Sequence, residues 1–138
     1  MARQGENTLR QDVASIADLV DIVGGATIAV GADAGTTVAV TIQLEKGNGD
    51  DIDFAAHIPF YVSSDAAGQA LATATDGGVA IGTDGLMIEW TADVAGLLIS
   101  EVDGDIDLVF TDSGSGTWYL NLCLPGGTIV TSAAITFA

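Results

Sequence analysis

A chain of 138 residues with 49% apolar content is long enough to bury one proper core, so a single domain with a terminal extension is expected. Its 19 acidic residues face only Arg3, Arg10 and Lys46, and a net charge of −16 excludes phosphate-driven binding to nucleic acid and attachment to anionic lipid membranes. One cysteine and one histidine exclude an internal disulfide and the usual zinc ligand sets.

The first 35 residues have their own pattern. In TLRQDVASIADLVDIVGG, Val13, Ile16, Val20 and Val23 recur at helical spacing with Leu19 beside them, Thr8 in a capping position and Gly24-Gly25 as a stop. This predicts an N-terminal arm, with or without a short helix, over residues 1–35, followed by a flexible VGADAGTT. A helix of this length is marginal alone and needs a surface, either its own sandwich or another chain. Val13, Ile16, Leu19 and Val20 are thus the candidate partner-binding residues. Glu6, Asp12, Asp18 and Asp21 interrupt any apolar run, which argues against a cleaved signal peptide, and no stretch is long enough to span a membrane.

Residues 36–138 read as strands and turns. VAVTIQL puts Val38, Val40, Ile42 and Leu44 on one face; HIPFYV puts Ile58, Phe60 and Val62 inward and His57, Pro59 and Tyr61 outward. LMIEW sets Leu86, Ile88 and Trp90 inward against Met87 and Glu89. IDLVF contributes Ile106, Leu108 and Phe110, and TWYLNLCL contributes Trp118, Leu120, Leu122 and Leu124. The run TIVTSAAITFA predicts one bent or two short strands. Period-two alternation with β-branched and aromatic residues marks half-buried strands. Between the runs stand Gly- and Asp-rich turns such as KGNGDD, TDGG and TDSGSG. The expected fold is all-β, an antiparallel β-sandwich over 36–138. Pro59, which has no ladder donor, predicts an edge strand or a bulge for HIPFYV.

EVDGDIDLVF, Glu101 to Phe110, puts four acidic side chains on alternate residues around one glycine. Its carboxylates suit calcium, but the acidic residue twelve positions on that an EF-hand loop requires is missing. Asp103-Gly104 between apolar runs predicts a hairpin turn, with Asp105 and Asp107 outward. Paired catalytic carboxylates need contrasting environments, whereas these acids sit beside glycines in loops. His57 with Ser63-Ser64 lacks a nucleophile elbow and an orienting third group. Cys123 lacks the neighbouring positive charge that activates a thiol, and no glycine-rich phosphate loop opens a helix. No catalytic residue, cofactor site or metal site is expected, and the chain is not expected to be an enzyme.

The segments VAVTIQLEKGNGDDI, YVSSDAAGQALATATDGGVAIGTDG and IDLVFTDSGSGTWYLNLCLPGGTIVTSAAITFA together resemble small immunoglobulin-like β-sandwich proteins carried on the virions of tailed bacteriophages. The resemblance spans residues 36–138 and is one of strands and turns. Tyr119 stands four residues before Cys123, not two, and no second cysteine is present, which excludes an antibody-type domain. The resemblance implies a head decoration, or capsid cement, protein on the outer capsid surface. Its implied partners are the major capsid protein and copies of itself in a homotrimer, with the N-terminal arm reaching a neighbour. The competing class is an immunoglobulin-like adhesion module of a head or tail fibre that binds host glycans, for which Tyr61 and Tyr119 are the candidate aromatics. A calcium-stabilised secreted adhesin domain is a third reading, resting on the acidic turns alone.

Overall fold

A computed structural model describes residues 22–138, and the expected arm or helix carrying Val13, Ile16, Leu19 and Val20 lies outside the described residues. The described chain forms ten strands: β1 (Gly25–Val30), β2 (Thr37–Glu45), β3 (His57–Ser63), β4 (Val79–Ile81), β5 (Leu86–Thr91), β6 (Ala95–Ile99), β7 (Asp105–Thr111), β8 (Gly116–Cys123), β9 (Ile129–Thr131) and β10 (Ile135–Phe137). One sheet runs β1-β2-β7-β4. The other runs β10-β8-β3-β6-β5, with β9 also paired to β8. Every strand pair among the described residues is antiparallel. The first sheet has the A-B-E-D order of an immunoglobulin-type sandwich, and β10-β8-β3 has the G-F-C order of the second. The β5–β6 hairpin extends that second sheet beyond β3. The all-β sandwich expected for this chain is the observed fold.

The alternation in β2 and β7 explains the core. Val38, Val40, Ile42 and Leu44 interlock with Ile106, Leu108 and Phe110 of the neighbouring strand, and all seven are buried. Ile58, Phe60 and Val62 of β3 and Leu120, Leu122 and Leu124 at β8 close the core from the other sheet. Each such side chain contributes about 1.5–3 kcal/mol by leaving water. Trp118 joins the inward row but is only partly buried; it stands edge-on to Phe137 at 5.6 Å and donates its indole N–H to Thr73 O. The final run is two short strands, β9 and β10.

Several expectations are corrected. Leu86, Ile88 and Trp90 do not face the core: they are 64%, 52% and 63% exposed, and Met87 takes the inward position. The strand of Pro59 is central, between β6 and β8, not an edge. Val62 N–H donates to Val94 O, so by alternation odd residues of β3 direct their backbone groups toward β8. The β3–β8 ladder begins only at Phe60, so the donor that Pro59 lacks falls where no ladder bond is made.

The sandwich also begins before residue 36. Residues 25–30, placed with the arm on sequence grounds, pair with β2 along their whole length, and Val23 ahead of them is 3% exposed. VGADAGTT is the β1–β2 turn, with Gly35 at φ +102 and its N–H held by Asp33. Finally, Asp103-Gly104 is a tight turn but not a hairpin, because it passes the chain from β6 in one sheet to β7 in the other. Glu101 N–H donates to Asp105 O and Gly104 N–H to Glu101 O, while Gly104 O accepts from Leu44 N–H of β2.

Candidate functional site

The two halves of the β10-β8-β3-β6-β5 sheet differ on their outer face. Over β3 and β8, the loop 64–71 lies down on the strands. Tyr61 Oη donates to Gly68 O at 2.6 Å, and Asp65 accepts the N–H groups of Gln69 and Ala70. Beneath the loop Asn121 is 0% exposed, donating to Ser63 Oγ at 2.9 Å and accepting from Thr131 Oγ1 at 2.7 Å. Gly68 (φ +69) is required there, since a Cβ would stand 2.6 Å from the Asn121 amide oxygen. Buried polar groups on this half are therefore paired and covered.

Over β5 and β6 nothing in the described chain lies down. Leu86 pairs with Ile99 and Ile88 with Leu97, and the row continues across β3 through Leu97↔Pro59. Directly opposed residues share a face, so Leu86, Ile88, Leu97, Ile99 and Pro59 form one apolar outer surface, with Trp90 at its end. Trp90 occupies the register shift between Glu89 and Thr91. Where β3 and β8 part beside Pro59, the surface runs into a shallow groove of about 350 Å³ lined by His57, Leu97, Cys123 and Pro125. A contiguous apolar patch on a sheet face marks an interaction site more often than a single exposed side chain does.

The rim of this patch is acidic. Glu101 accepts the N–H of Gly85 at the start of β5, and Glu89 accepts that of Asp93 at its end. Beside the first of these, an open groove of about 550 Å³ is lined by Ile52, Asp53, Asp84, Glu101, Val102 and Asp103. Lys46 is the one Lys or Arg among the described residues, and it pairs with Asp53 at 3.5 Å.

Asp105 and Asp107 point outward as expected and meet Asp84, with one carboxylate oxygen of each within 4.8 Å of the others. These three could hold a hard cation by ligand type. Around them, Asp107 accepts the Thr83 hydroxyl, and Asp107 N–H donates to the backbone oxygen of Asp84. Burial, then the charges of Asp107, Asp84 and Asp103, raise the Asp105 carboxyl above its ordinary value. His57 is exposed at one end of β3 and Ser63 is buried at the other. Six residues of strand separate them by about 20 Å, so they do not form a nucleophile–base pair. Burial raises the Cys123 thiol, which keeps it protonated. Tyr61 and Tyr119, the aromatics considered for glycan contact, are half-buried, whereas Trp90 is the exposed one.

Sequence reasoning missed the patch because it assigned β5 by its apolar phase and did not identify β6. The available signal was AGLLI: Leu97, Leu98 and Ile99 in succession make both faces of one strand apolar.

No family model matches the chain. No curated protein matches it either. Among solved structures it is similar to a cohesin module from a Clostridium perfringens ATCC13124 family 33 glycoside hydrolase, with 18% identity over 83% of this chain and 96% of that one and a TM-score of 0.45. It is also similar to the Lin-41 filamin domain, with 15% identity over 86% and 95% of the two chains and a TM-score of 0.39.

Proposed function

We propose that this chain is a non-enzymatic structural module of a tailed-bacteriophage virion, a decoration protein that binds the outer surface of the capsid. The observation that carries the binding role is the bare apolar half-face, with Leu86, Ile88 and Trp90 exposed beside a half-face that the chain covers with its own loop. Leaving such a surface to water has no benefit for folding, so a partner is its physical rationale. The virion assignment rests on the resemblance of residues 36–138. The major capsid protein is the proposed partner for the patch, with copies of this chain as a homotrimer. Val13, Ile16, Leu19 and Val20 add contacts from the arm. Many weak contacts repeated over one lattice give firm attachment without a large individual interface.

One observation favours a second reading, a fibre module binding glycans: Trp90 offers a free indole face for a sugar ring. Rebinding of purified protein to capsids stripped of it separates the two. The decoration reading expects saturation at many copies per particle and loss of binding in Ile88→Lys with an unchanged melting temperature. Undiminished rebinding by folded Ile88→Lys would overturn it. Glycan binding that vanishes in Trp90→Ala, at few copies per particle, would establish the fibre reading instead.

A further inference from the structure

The free edge of β5 offers more than an apolar surface. Ser100 N–H donates to Ala56 O and Val62 N–H to Val94 O, so the even residues of β6 direct their backbone groups toward β3. Leu97 and Ile99 therefore direct theirs toward β5, where their register partners are Ile88 and Leu86. By the same alternation the N–H and C=O of Met87 and Glu89 point away from the sheet, into solvent. β5 is the last strand of its sheet, and no backbone bond to those groups is made by the described chain. Exposed edges are usually blunted by proline, by charged side chains, by bulges or by very short strands. β5 carries one charge, Glu89, and one register shift, between Glu89 and Thr91, which leave Leu86 to Ile88 regular. β5 has six residues, none of them Pro or Lys, and apolar side chains on alternate positions.

We infer that β5 accepts an added strand: an extended segment of a different protein, apolar on alternate residues and carrying Lys or Arg at both ends. Its backbone bonds Met87 and Glu89, and its apolar side chains continue the row of Leu86 and Ile88. Its cations meet Asp84 and Glu101 at one end of the strand and Glu89 and Asp93 at the other. Charge complementarity selects against a second copy of this chain, which would bring like charge to like charge with Lys46 as its one cation among the described residues. The inference rests on reading this half-face as the docking surface.

The probe is a synthetic peptide, Lys-Lys-Val-Thr-Val-Thr-Val-Lys-Lys, compared with a Glu-flanked counterpart and with a form N-methylated on alternate amides. Amide hydrogen exchange followed by NMR should show Met87 and Glu89 slowed on adding the Lys-flanked peptide and unaffected by the other two. Glu89→Pro removes one outward donor without touching the β6 ladder, and should weaken peptide binding about tenfold. Glu89→Ala, which keeps that donor, should weaken it only about threefold, for one lost exposed charge. If the proline unfolds the strand, exchange in the unaltered chain decides. Equal binding of the Glu-flanked peptide, binding without protection of Met87 and Glu89, or no binding would overturn the inference, as would concentration-dependent dimerisation that buries β5. Capsid attachment lost in Ile88→Lys but kept in Glu89→Pro would leave the docking face standing and remove the added strand.

Discussion

Gly104→Ala should be strongly destabilising, because it combines a left-handed backbone with close contacts on every side. Gly104 sits at φ +84 in the turn that carries the chain from β6 to β7. A Cβ there would stand 2.7 Å from Ile52 Cγ1, 2.8 Å from Gln43 Nε2 and 2.8 Å from Leu44 O. The left-handed backbone alone costs an L-residue about 1–2 kcal/mol. Overpacking against groups that include a backbone oxygen adds about 1–3 kcal/mol. Relief by moving the turn lengthens the 2.9 Å bond from Leu44 N–H to Gly104 O, at about 1 kcal/mol more. The sum is about 3–6 kcal/mol, a large share of the ~5–15 kcal/mol that holds a domain together. Gly126→Ala isolates the backbone part: φ is +89, yet a Cβ there meets nothing within 4 Å, so its cost should stay near 1–2 kcal/mol. Urea unfolding followed by tryptophan fluorescence measures both. Equal losses for the two variants would refute the close packing of this turn against β2 and the loop at Ile52.

Other expectations follow from the same geometry. Trp118→Ala removes the partly buried indole and its edge contact with Phe137, at a cost of about 3–4 kcal/mol, whereas Trp90→Ala should cost less than half as much; comparable melting temperatures would invert the assignment. The protonated form of Asp105 is favoured in the folded state. The stability this contributes is complete below the ordinary carboxylate value and is lost as pH rises through the raised folded value. Asp105→Asn should therefore melt above the parent at neutral pH, with the gap closing as pH falls into the carboxylate range, and a gap independent of pH would contradict this. With calcium or chelator at matched ionic strength the melting temperature should be the same. A saturable, calcium-specific rise lost in Asp105→Asn would assign a cation to Asp84, Asp105 and Asp107.

Strands with a polar outer face were legible in the sequence. β2 and β7 carry Thr41, Asp105 and Asp107 outward, so their apolar phase points to the core and the period-two rule holds. β5 defeats that rule, because its core-facing residue is Met87 and its apolar majority faces out. A pattern of apolar residues reports a dry surface without saying whether the protein itself or a partner dries it. β1 was hidden by small residues: GATIAV has little alternation of its own, and Val20 and Val23 extend a helical period up to it. β4, only three residues long, gave no periodic signal. The EVDGD turn was legible as a turn but not as a crossing between sheets, because Asp-Gly specifies a local bend and not the pairing of the strands it joins. The pairing is set by distant contacts such as Leu44 with Gly104.

The most direct test of the account is where the sandwich sits when bound. A reconstruction of the capsid carrying this protein should place the β5–β6 half-face, with Leu86, Ile88 and Trp90, against the capsid lattice, and the loop 64–71 away from it. A particle in which β5 faces solvent, and the protein is held by some other surface, would contradict the account.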